Sequence, residues 1–207
     1  MHHPSYDLLV AFNQHRLSNA LSIAVAAHLE LCSCCSQKQK RSLLLNQGVS
    51  LDSLNDDDSI ANTLHACLES QQIADFPYLE KHDNPQMAKF FRHKFELPQA
   101  LNYLPLKPVE QLKHFECIRA KTTANAPDVA LLHIKAGTQF PKHKHTGYEL
   151  CVVLSGSYKD ELGDHCMGDF SYLSKSSYHA PFFKQDCLCL LITEDKSVIG
   201  PEQSFFR

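Results

Sequence analysis

The chain has 207 residues, of which 43% are hydrophobic and 21% charged, as expected for a globular protein of one or two domains. Its formal net charge of -3 provides no basic excess, so direct nucleic-acid binding is not expected. No apolar run approaches the roughly 20 residues of a membrane helix, and the start MHHPSYDLLVAFNQHRL lacks a secretory pattern, so we expect a cytoplasmic protein without membrane contact. Nine cysteines and 13 histidines then favour metal binding over disulfides.

Four helices are predicted in roughly the first 73 residues, because apolar side chains recur there at three- and four-residue spacings. Pro4 suits a first helical turn, and Ser18 or Asn19 can cap the second helix. The four segments are SYDLLVAFNQHRL, NALSIAVAAHLEL, SQKQKRSLLLNQ and DDSIANTLHACLESQQI. Together they predict a small helical domain over residues 1–80.

The end of the second helix carries residues that bind metals. In the segment HLELCSCC, the spacing of His28, Cys32 and Cys35 places them on one face of a helix and its C-terminal turn. Two thiolates and an imidazole suit zinc, and a structural zinc site takes four ligands. His2 and His3 are both available on the preceding segment, and we choose His3 as the fourth ligand.

The composition changes after the helices. Five of the ten prolines lie between Ala74 and Pro108, where helical periodicity weakens, so we interpret residues 81–105 as a linker with one short helix in MAKFFRHKF. From residue 106 to 207, short apolar runs alternate with Gly, Asn, Asp and Ser, which predicts a β-sandwich or barrel. The predicted fold class is therefore α+β with two domains.

The stretch GTQFPKHKHTGYELCVVLSG places three metal-ligand residues in one predicted hairpin. His143 and His145 are two apart on a strand and face the same side, and Glu149 begins the next strand after a turn at Gly147. This spacing is similar to the first cupin motif, and GDFSYLSKSSYHAPF, which contains His179, is similar to the second. The resemblance predicts a cupin β-barrel of the jelly-roll type, with a metal bound by these three histidines and Glu149.

The barrel metal is zinc or another divalent ion, because imidazole and carboxylate ligands also suit iron, nickel and manganese. Ser174 and Ser176 stand where the second motif usually has proline and glycine. Cys187 and Cys189 share a strand face and form a candidate redox pair, but a disulfide between such neighbours is strained, which favours packing. The remaining histidines, His165 among them, show no spacing typical of a metal site.

A helical thiolate and histidine site followed by a cupin resembles the ChrR-type zinc-binding anti-sigma factors over nearly the full chain. The interval from His3 to His28, the pair Cys187 and Cys189, and the closing QSFFR all fit that family. The resemblance implies that the helical domain binds an extracytoplasmic-function sigma factor and that zinc stabilises this domain. It also implies that the cupin senses a signal, reactive oxygen such as singlet oxygen or an organic hydroperoxide.

The apolar face with Leu44 and Leu45 in the third helix is a candidate for contact with the partner, although core packing explains these residues equally well.

Two other functions remain open. A metal-dependent cupin enzyme, a dioxygenase or isomerase with a helical appendage, is favoured by the intact first motif. The irregular second motif and the separate zinc pattern favour a protein that is not an enzyme. A zinc-binding adaptor for a non-sigma partner is physically equivalent to the anti-sigma factor.

Overall fold

The computed structural model describes residues 2–46, 80–84, 97–111, 115–121 and 126–194. The helices are α1 Tyr6–Asn13, α2 Asn19–Leu31 and α3 Ser33–Asn46, followed by a short 3-10 helix Gln99–Tyr103. The strands are β1 Glu110–Gln111, β2 Phe115–Arg119, β3 Asp128–Ile134, β4 Thr138–Gln139, β5 His143–Lys144, β6 Glu149–Ser155, β7 Ser157–Asp160, β8 Gly163–Cys166, β9 Phe170–Leu173, β10 Tyr178–His179, β11 Phe182–Phe183 and β12 Cys187–Thr193. Helices followed by strands confirm the predicted α+β class. The predicted fourth helix and the short helix in MAKFFRHKF lie outside the described residues.

Serine side chains begin the first two helices. The Ser5 hydroxyl accepts the backbone N–H of Leu8, and the Ser18 hydroxyl accepts that of Leu21. Each bond satisfies one of the N–H groups that the first turn of a helix leaves unpaired. Of the two caps that the sequence offered for α2, Ser18 rather than Asn19 is the one used.

A single residue, Cys32, separates α2 from α3. Its backbone is extended, with φ of -118° and ψ of 100°, and the two helices meet at a bend of 114°. Within the part of the chain that the structure describes, no single helix has the length and hydropathy to span a membrane. The bent pair of α2 and α3 satisfies those two criteria jointly, by length and composition alone.

The strands form a double-layered antiparallel structure. One sheet has six strands in the order β1-β2-β3-β12-β6-β9, and the opposing sheet has four in the order β4-β11-β7-β8. A two-stranded ribbon of β10 and β5 lies beside them, with His179 directly opposite His143. In this ribbon, residues that are far apart in the sequence lie side by side.

Strands β6 and β12 are adjacent in the six-stranded sheet, and their side chains are almost all buried. Val152 and Leu190 belong to a core that also contains α2, including Ala24 and Ala27. The alternate side chains of these strands, such as Val153, belong to a second core inside the barrel. Burial on both faces explains why the two strands consist of continuous apolar runs rather than alternating ones.

Part of the segment interpreted as a linker is packed against α2. The Glu30 carboxylate accepts the backbone N–H groups of Gln99 at 2.6 Å and Ala100 at 2.9 Å. Leu101 of the same 3-10 helix is fully buried in the core shared by α2 and the sheet. The helices and the barrel are therefore joined by packing as well as by sequence, while the domain limits at 80 and 106 remain predictions.

Candidate metal centres

Four ligand-type residues meet where α2 adjoins α3, and we call this group, His3, His28, Cys32 and Cys35, the helical-domain site. One ligand atom from each lies within 4.8 Å of all the others. His3 Nδ1 is 3.3 Å from Cys35 Sγ and 3.6 Å from Cys32 Sγ. His3 is exposed, whereas the other three residues are buried. The structure thus brings together the four residues selected from the sequence.

The helical-domain site draws on two helices, which differs from the sequence expectation of one helix and its C-terminal turn. His28 lies in α2, Cys32 is the residue at the break, and Cys35 lies in the first turn of α3. The bend at Cys32 brings the second helix toward the first. Spacing alone did not reveal this bend, because the segment SCCS carries neither glycine nor proline.

The orientation of His28 is set by a residue of the barrel. His28 Nδ1 donates to the carbonyl oxygen of Gly168 at 2.7 Å, so Nε2 carries the lone pair. This Nε2 is buried and has no hydrogen-bond partner among the described residues. Burial lowers the pKa of His28 to about 4, so the ring is neutral near pH 7. A neutral, unpaired imidazole nitrogen beside two thiols fits a metal cation.

The Cys35 thiol of the helical-domain site lies in surroundings that disfavour negative charge. Burial and the neighbouring Cys32 raise the pKa of Cys35 to about 11 when no cation is present. A bound cation favours the thiolate form of such a thiol. Two thiolates with two imidazoles form the donor set of a tetrahedral structural zinc site, which contributes folding free energy when filled.

A second group, which we call the barrel site, consists of His143, His145, Glu149 and His179. The Nε2 atom of His179 lies 2.9 Å from the Nε2 atoms of both His143 and His145. Ligand atoms of the three histidines are all within 4.8 Å of one another. The pairing of β5 with β10 brings His179 from the second motif to the two histidines of the first.

Hydrogen bonds fix the tautomers of two of these histidines. His143 Nδ1 donates to the carbonyl oxygen of Pro141 at 2.9 Å, and His179 Nδ1 donates to the Asp160 carboxylate at 3.1 Å. Each ring therefore turns its Nε2 atom toward the other, and the two atoms lie 2.9 Å apart. Three imidazole nitrogens that converge in this way fit a metal ion. The complete ligand set, with Glu149 as the fourth member, remains a prediction.

Glu149 lies beside the three histidines without joining their close group. Its carboxylate oxygens are 3.8 Å from His179 Nε2 and 3.8 Å from His145 Nδ1. The side chain is buried, as the predicted hairpin requires. Gly147 in the preceding turn approaches Glu194 so closely that an added Cβ would lie 2.6 Å from the Glu194 Cβ. Glycine is needed there for space.

Asp160 is a site residue that the sequence patterns missed. Its side chain is only 1% exposed, and it accepts hydrogen bonds from His179 Nδ1 and, at 2.9 Å, from His165 Nε2. Burial alone would raise the pKa of Asp160, but the bonds from His165 and His179 outweigh burial and hold it well below its usual range. Asp160 is therefore a buried anion that orients His179. Nothing in the surrounding SYKDEL distinguishes it from the exposed acids nearby.

Replacing Asp160 with asparagine is expected to weaken metal binding at the barrel site by about 10- to 100-fold, the usual cost of losing an outer carboxylate. An amide has one acceptor oxygen and cannot accept from both histidines while its NH₂ group donates. Chelator competition measures the affinity, and thiolate-to-cobalt absorption monitors the helical-domain site separately. The exposed Asp164→Asn serves as the control. Equal metal affinities of the barrel site in the two variants would contradict the role of Asp160 in orienting His179.

A cavity of about 60 Å³ lies inside the barrel next to the barrel site. Since one water needs roughly 15 Å³ on this measure, the cavity holds only a few small molecules. Most of its wall is apolar, and two thiols face it. The lining includes Phe115, Leu132, Ile134, Phe140, Pro181, Phe183 and Leu191 with Tyr158, Cys151 and Cys189, and His143, Glu149 and His179 from the site.

The candidate redox pair is buried. The sulfur atoms of Cys187 and Cys189 are 3.6 Å apart. Hydrogen bonds with Cys151 and Cys187, together with burial, raise the pKa of Cys189 well above its ordinary value, so this thiol stays protonated and weakly nucleophilic. Redox activity of the pair remains a prediction.

The candidate partner-contact residues lie near the end of α3. Leu44 is 2% exposed and packs inside this chain, and the side chain of Leu45 is outside the described part. A contact between Leu44 and a partner therefore requires α3 to move. Their role in binding remains a prediction.

Comparison with known proteins identifies the class of the barrel. Residues 98–197 match the family model described as the ChrR cupin-like domain. This segment contains every strand of both sheets and all four residues of the barrel site. The C-terminal part of the chain is therefore a cupin-like domain.

Two further comparisons extend over the helices as well as the barrel. The chain is 28% identical over 210 aligned positions to the anti-sigma-E factor ChrR of Cereibacter sphaeroides, covering 93% of this chain and 89% of that protein. It also matches the crystal structure of Rhodobacter sphaeroides SigE in complex with the anti-sigma ChrR, with 26% identity and a TM-score of 0.59. That match covers 94% of this chain and 99% of the other. The chain is therefore similar over nearly its full length to a ChrR-type anti-sigma factor, which confirms the resemblance.

Proposed function

We propose that this chain is a zinc-dependent anti-sigma factor that sequesters an extracytoplasmic-function sigma factor through its N-terminal helices. The full-length similarity to an anti-sigma factor found in complex with SigE supports the partner class. The observation that carries the proposal is the helical-domain site, because its four ligands lie in the part of the chain that the cupin family does not include. The protein acts in the cytoplasm, on another protein rather than on DNA.

Zinc at the helical-domain site stabilises the helices for this task. A short helical domain buries too little apolar surface to be robust alone, and zinc ligation contributes folding free energy directly. Packing of α2 on the sheet supplies further support from outside the helical domain. Within the proposal, residues 1–80 form the sigma-binding domain, residues 81–105 the connection and residues 106–207 the cupin domain.

The cupin domain acts as the sensor, and reactive oxygen is the proposed signal, either singlet oxygen or an organic hydroperoxide. The small apolar cavity supports this assignment, because it admits small oxidants beside the metal ligands and the thiols of Cys151 and Cys189. Release of the partner requires that the oxidised protein bind it less tightly than the reduced one. A thousandfold loss of affinity corresponds to about 4 kcal/mol.

The second candidate is a cupin enzyme, a metal-dependent dioxygenase or isomerase. The convergence of three histidines favours it, since such a site is able to keep open positions for a substrate. The mostly apolar cavity wall favours the sensor, because enzyme sites orient substrates with several placed polar groups. We therefore propose that the protein is not an enzyme.

Co-expression of the full chain with each sigma factor of its host tests the proposal. We expect one extracytoplasmic-function sigma factor to co-purify with the chain at equal stoichiometry and to lose transcription activity in vitro. Exposure to singlet oxygen or an organic hydroperoxide should then release it. Retention of no sigma factor, together with turnover of a small molecule, would establish the enzyme instead.

A further inference from the structure

A third group of ligand-type side chains lies where the N-terminal segment contacts the turn between β8 and β9. It consists of His2, His165 and Asp169, whose ligand atoms all lie within 4.8 Å of one another. His165 is fully buried and Asp169 is 1% exposed, while His2 is half-buried. None of the three belongs to the helical-domain site or the barrel site.

The ring of His165 is held with one nitrogen toward this group. Its Nε2 donates to the Asp160 carboxylate at 2.9 Å, so the neutral ring carries its lone pair on Nδ1. This Nδ1 is buried and has no hydrogen-bond partner among the described residues. Tyr158 stacks on the ring with centroids 4.3 Å apart, and His2 stacks at 4.7 Å. A rigid imidazole with a carboxylate behind it and a bare nitrogen in front is the usual arrangement of a metal-bound histidine.

The carboxylate of Asp169 is fixed by two backbone hydrogen bonds. One carboxylate oxygen accepts the backbone N–H of His2 at 3.0 Å, and the other accepts the backbone N–H of Cys166 at 3.0 Å. The second oxygen also accepts from the Cys166 thiol at 3.7 Å, whereas the oxygen bonded to His2 keeps a further lone-pair position. The backbone of His2 is tied in as well, since its carbonyl oxygen accepts the N–H of Phe170. The carboxylate and the His2 backbone are therefore fixed next to the bare nitrogen of His165.

We propose that His2, His165 and Asp169 bind a third metal ion, a divalent first-row transition ion of the zinc type. Two imidazoles and one carboxylate are donors that zinc accepts, and three protein ligands leave a position for water. Metal bonds of about 2.0–2.2 Å require the group to contract on binding. The half-buried ring of His2 provides that movement when it turns out of its stacking contact with His165, while its backbone stays bonded to Asp169 and Phe170.

Occupancy of this site ties the segment before α1 to the barrel. His2 adjoins His3, a ligand of the helical-domain site, so an ion bound here also restrains that ligand. An ion that binds only the folded arrangement stabilises it in proportion to free metal concentration. The proposal concerns ion binding by the isolated chain and does not rest on the anti-sigma activity.

The test counts ions in the untagged full-length protein after equilibration with Zn²⁺ and removal of excess metal. We expect three zinc equivalents per chain, and two for both His2→Ala and Asp169→Asn. The matched controls are the exposed His15→Ala and Asp164→Asn, which should keep three. Two equivalents in the unaltered chain, or three in His2→Ala, overturn the proposal.

Cobalt substitution separates this site from its neighbour. Cysteines belong to the ligand group of the helical-domain site and not to the group of His2, His165 and Asp169. His2→Ala should therefore lose one cobalt equivalent while the thiolate-to-cobalt absorption band stays unchanged. His2 is the mildest variant to make, because its side chain is partly exposed, and circular dichroism checks that the fold is kept. Loss of the thiolate band together with the equivalent would make His2 a ligand of the helical-domain site and overturn the third site.

Discussion

Substitution of both Cys32 and Cys35 by serine is expected to abolish inhibition of the sigma factor. The variant loses two of the four ligands at the junction of α2 and α3, and zinc-finger-like sites draw about 10–16 kcal/mol of apparent binding free energy from their ion. This is as large as the total stability of a typical domain, about 5–15 kcal/mol. Zinc content should fall by one equivalent, and the amount of partner that co-purifies should fall at least a hundredfold. Thermal unfolding of the helices, followed by circular dichroism, should no longer depend on zinc.

Cys34→Ser is the matched control, because Cys34 lies between the two ligands but is exposed and outside the cluster. It should keep zinc, partner binding and stability. A double variant that still inhibits the sigma factor would show that zinc ligation is not what holds the binding surface together.

Replacing His143 with alanine is expected to leave inhibition intact and to block release. The change removes one of three converging imidazoles from the barrel while leaving the helical-domain site complete. Transcription assays should give the same inhibition as the unaltered chain without oxidant, and less than a tenth of its release with singlet oxygen or hydroperoxide. Metal analysis should show that the barrel ion is lost.

His133→Ala controls for the loss of a histidine from the barrel, because His133 pairs with Glu116 and Asp186 rather than with the three histidines. It should respond to oxidant normally. If His143→Ala instead loses the sigma factor at the outset, the assignment of binding to the helices and sensing to the cupin is wrong.

Sequence spacing located most of the ligand residues because these are close in the chain. His28, Cys32 and Cys35 follow helical intervals, and His143 and His145 follow strand alternation. Such short intervals carry geometric information before any folding is known. The α+β order of elements was predictable for the same reason, since periodicities of 3.6 and 2 residues distinguish helices from strands.

Residues that act through distant partners were not predictable. Asp160 supports His179 and His165 from a strand whose acids look alike in sequence. His2 meets Asp169 across 167 positions, and no local interval indicates that contact. The bend at Cys32 was also not predictable, because a helical pattern contains no information on tertiary packing.

The sequence pattern also did not predict that α2 and the six-stranded sheet share one core. A continuous apolar run such as that of β12 predicts burial on both faces but does not say what covers the second face. Three alanines of α2, Ala24, Ala26 and Ala27, are fully buried there. Their small side chains let the helix axis approach the strands closely, which the helical periodicity of NALSIAVAAHLEL alone does not require.

The hydrogen bond from His28 to Gly168 connects helix α2 directly to the barrel. Gly168 has φ of +89°, a left-handed backbone favourable only for glycine, and its carbonyl oxygen receives the imidazole that faces the two thiols. A displacement of the turn before β9 thus reaches a ligand of the helical-domain site through one hydrogen bond. This hydrogen bond connects the barrel to the helices directly, without the intervening polypeptide.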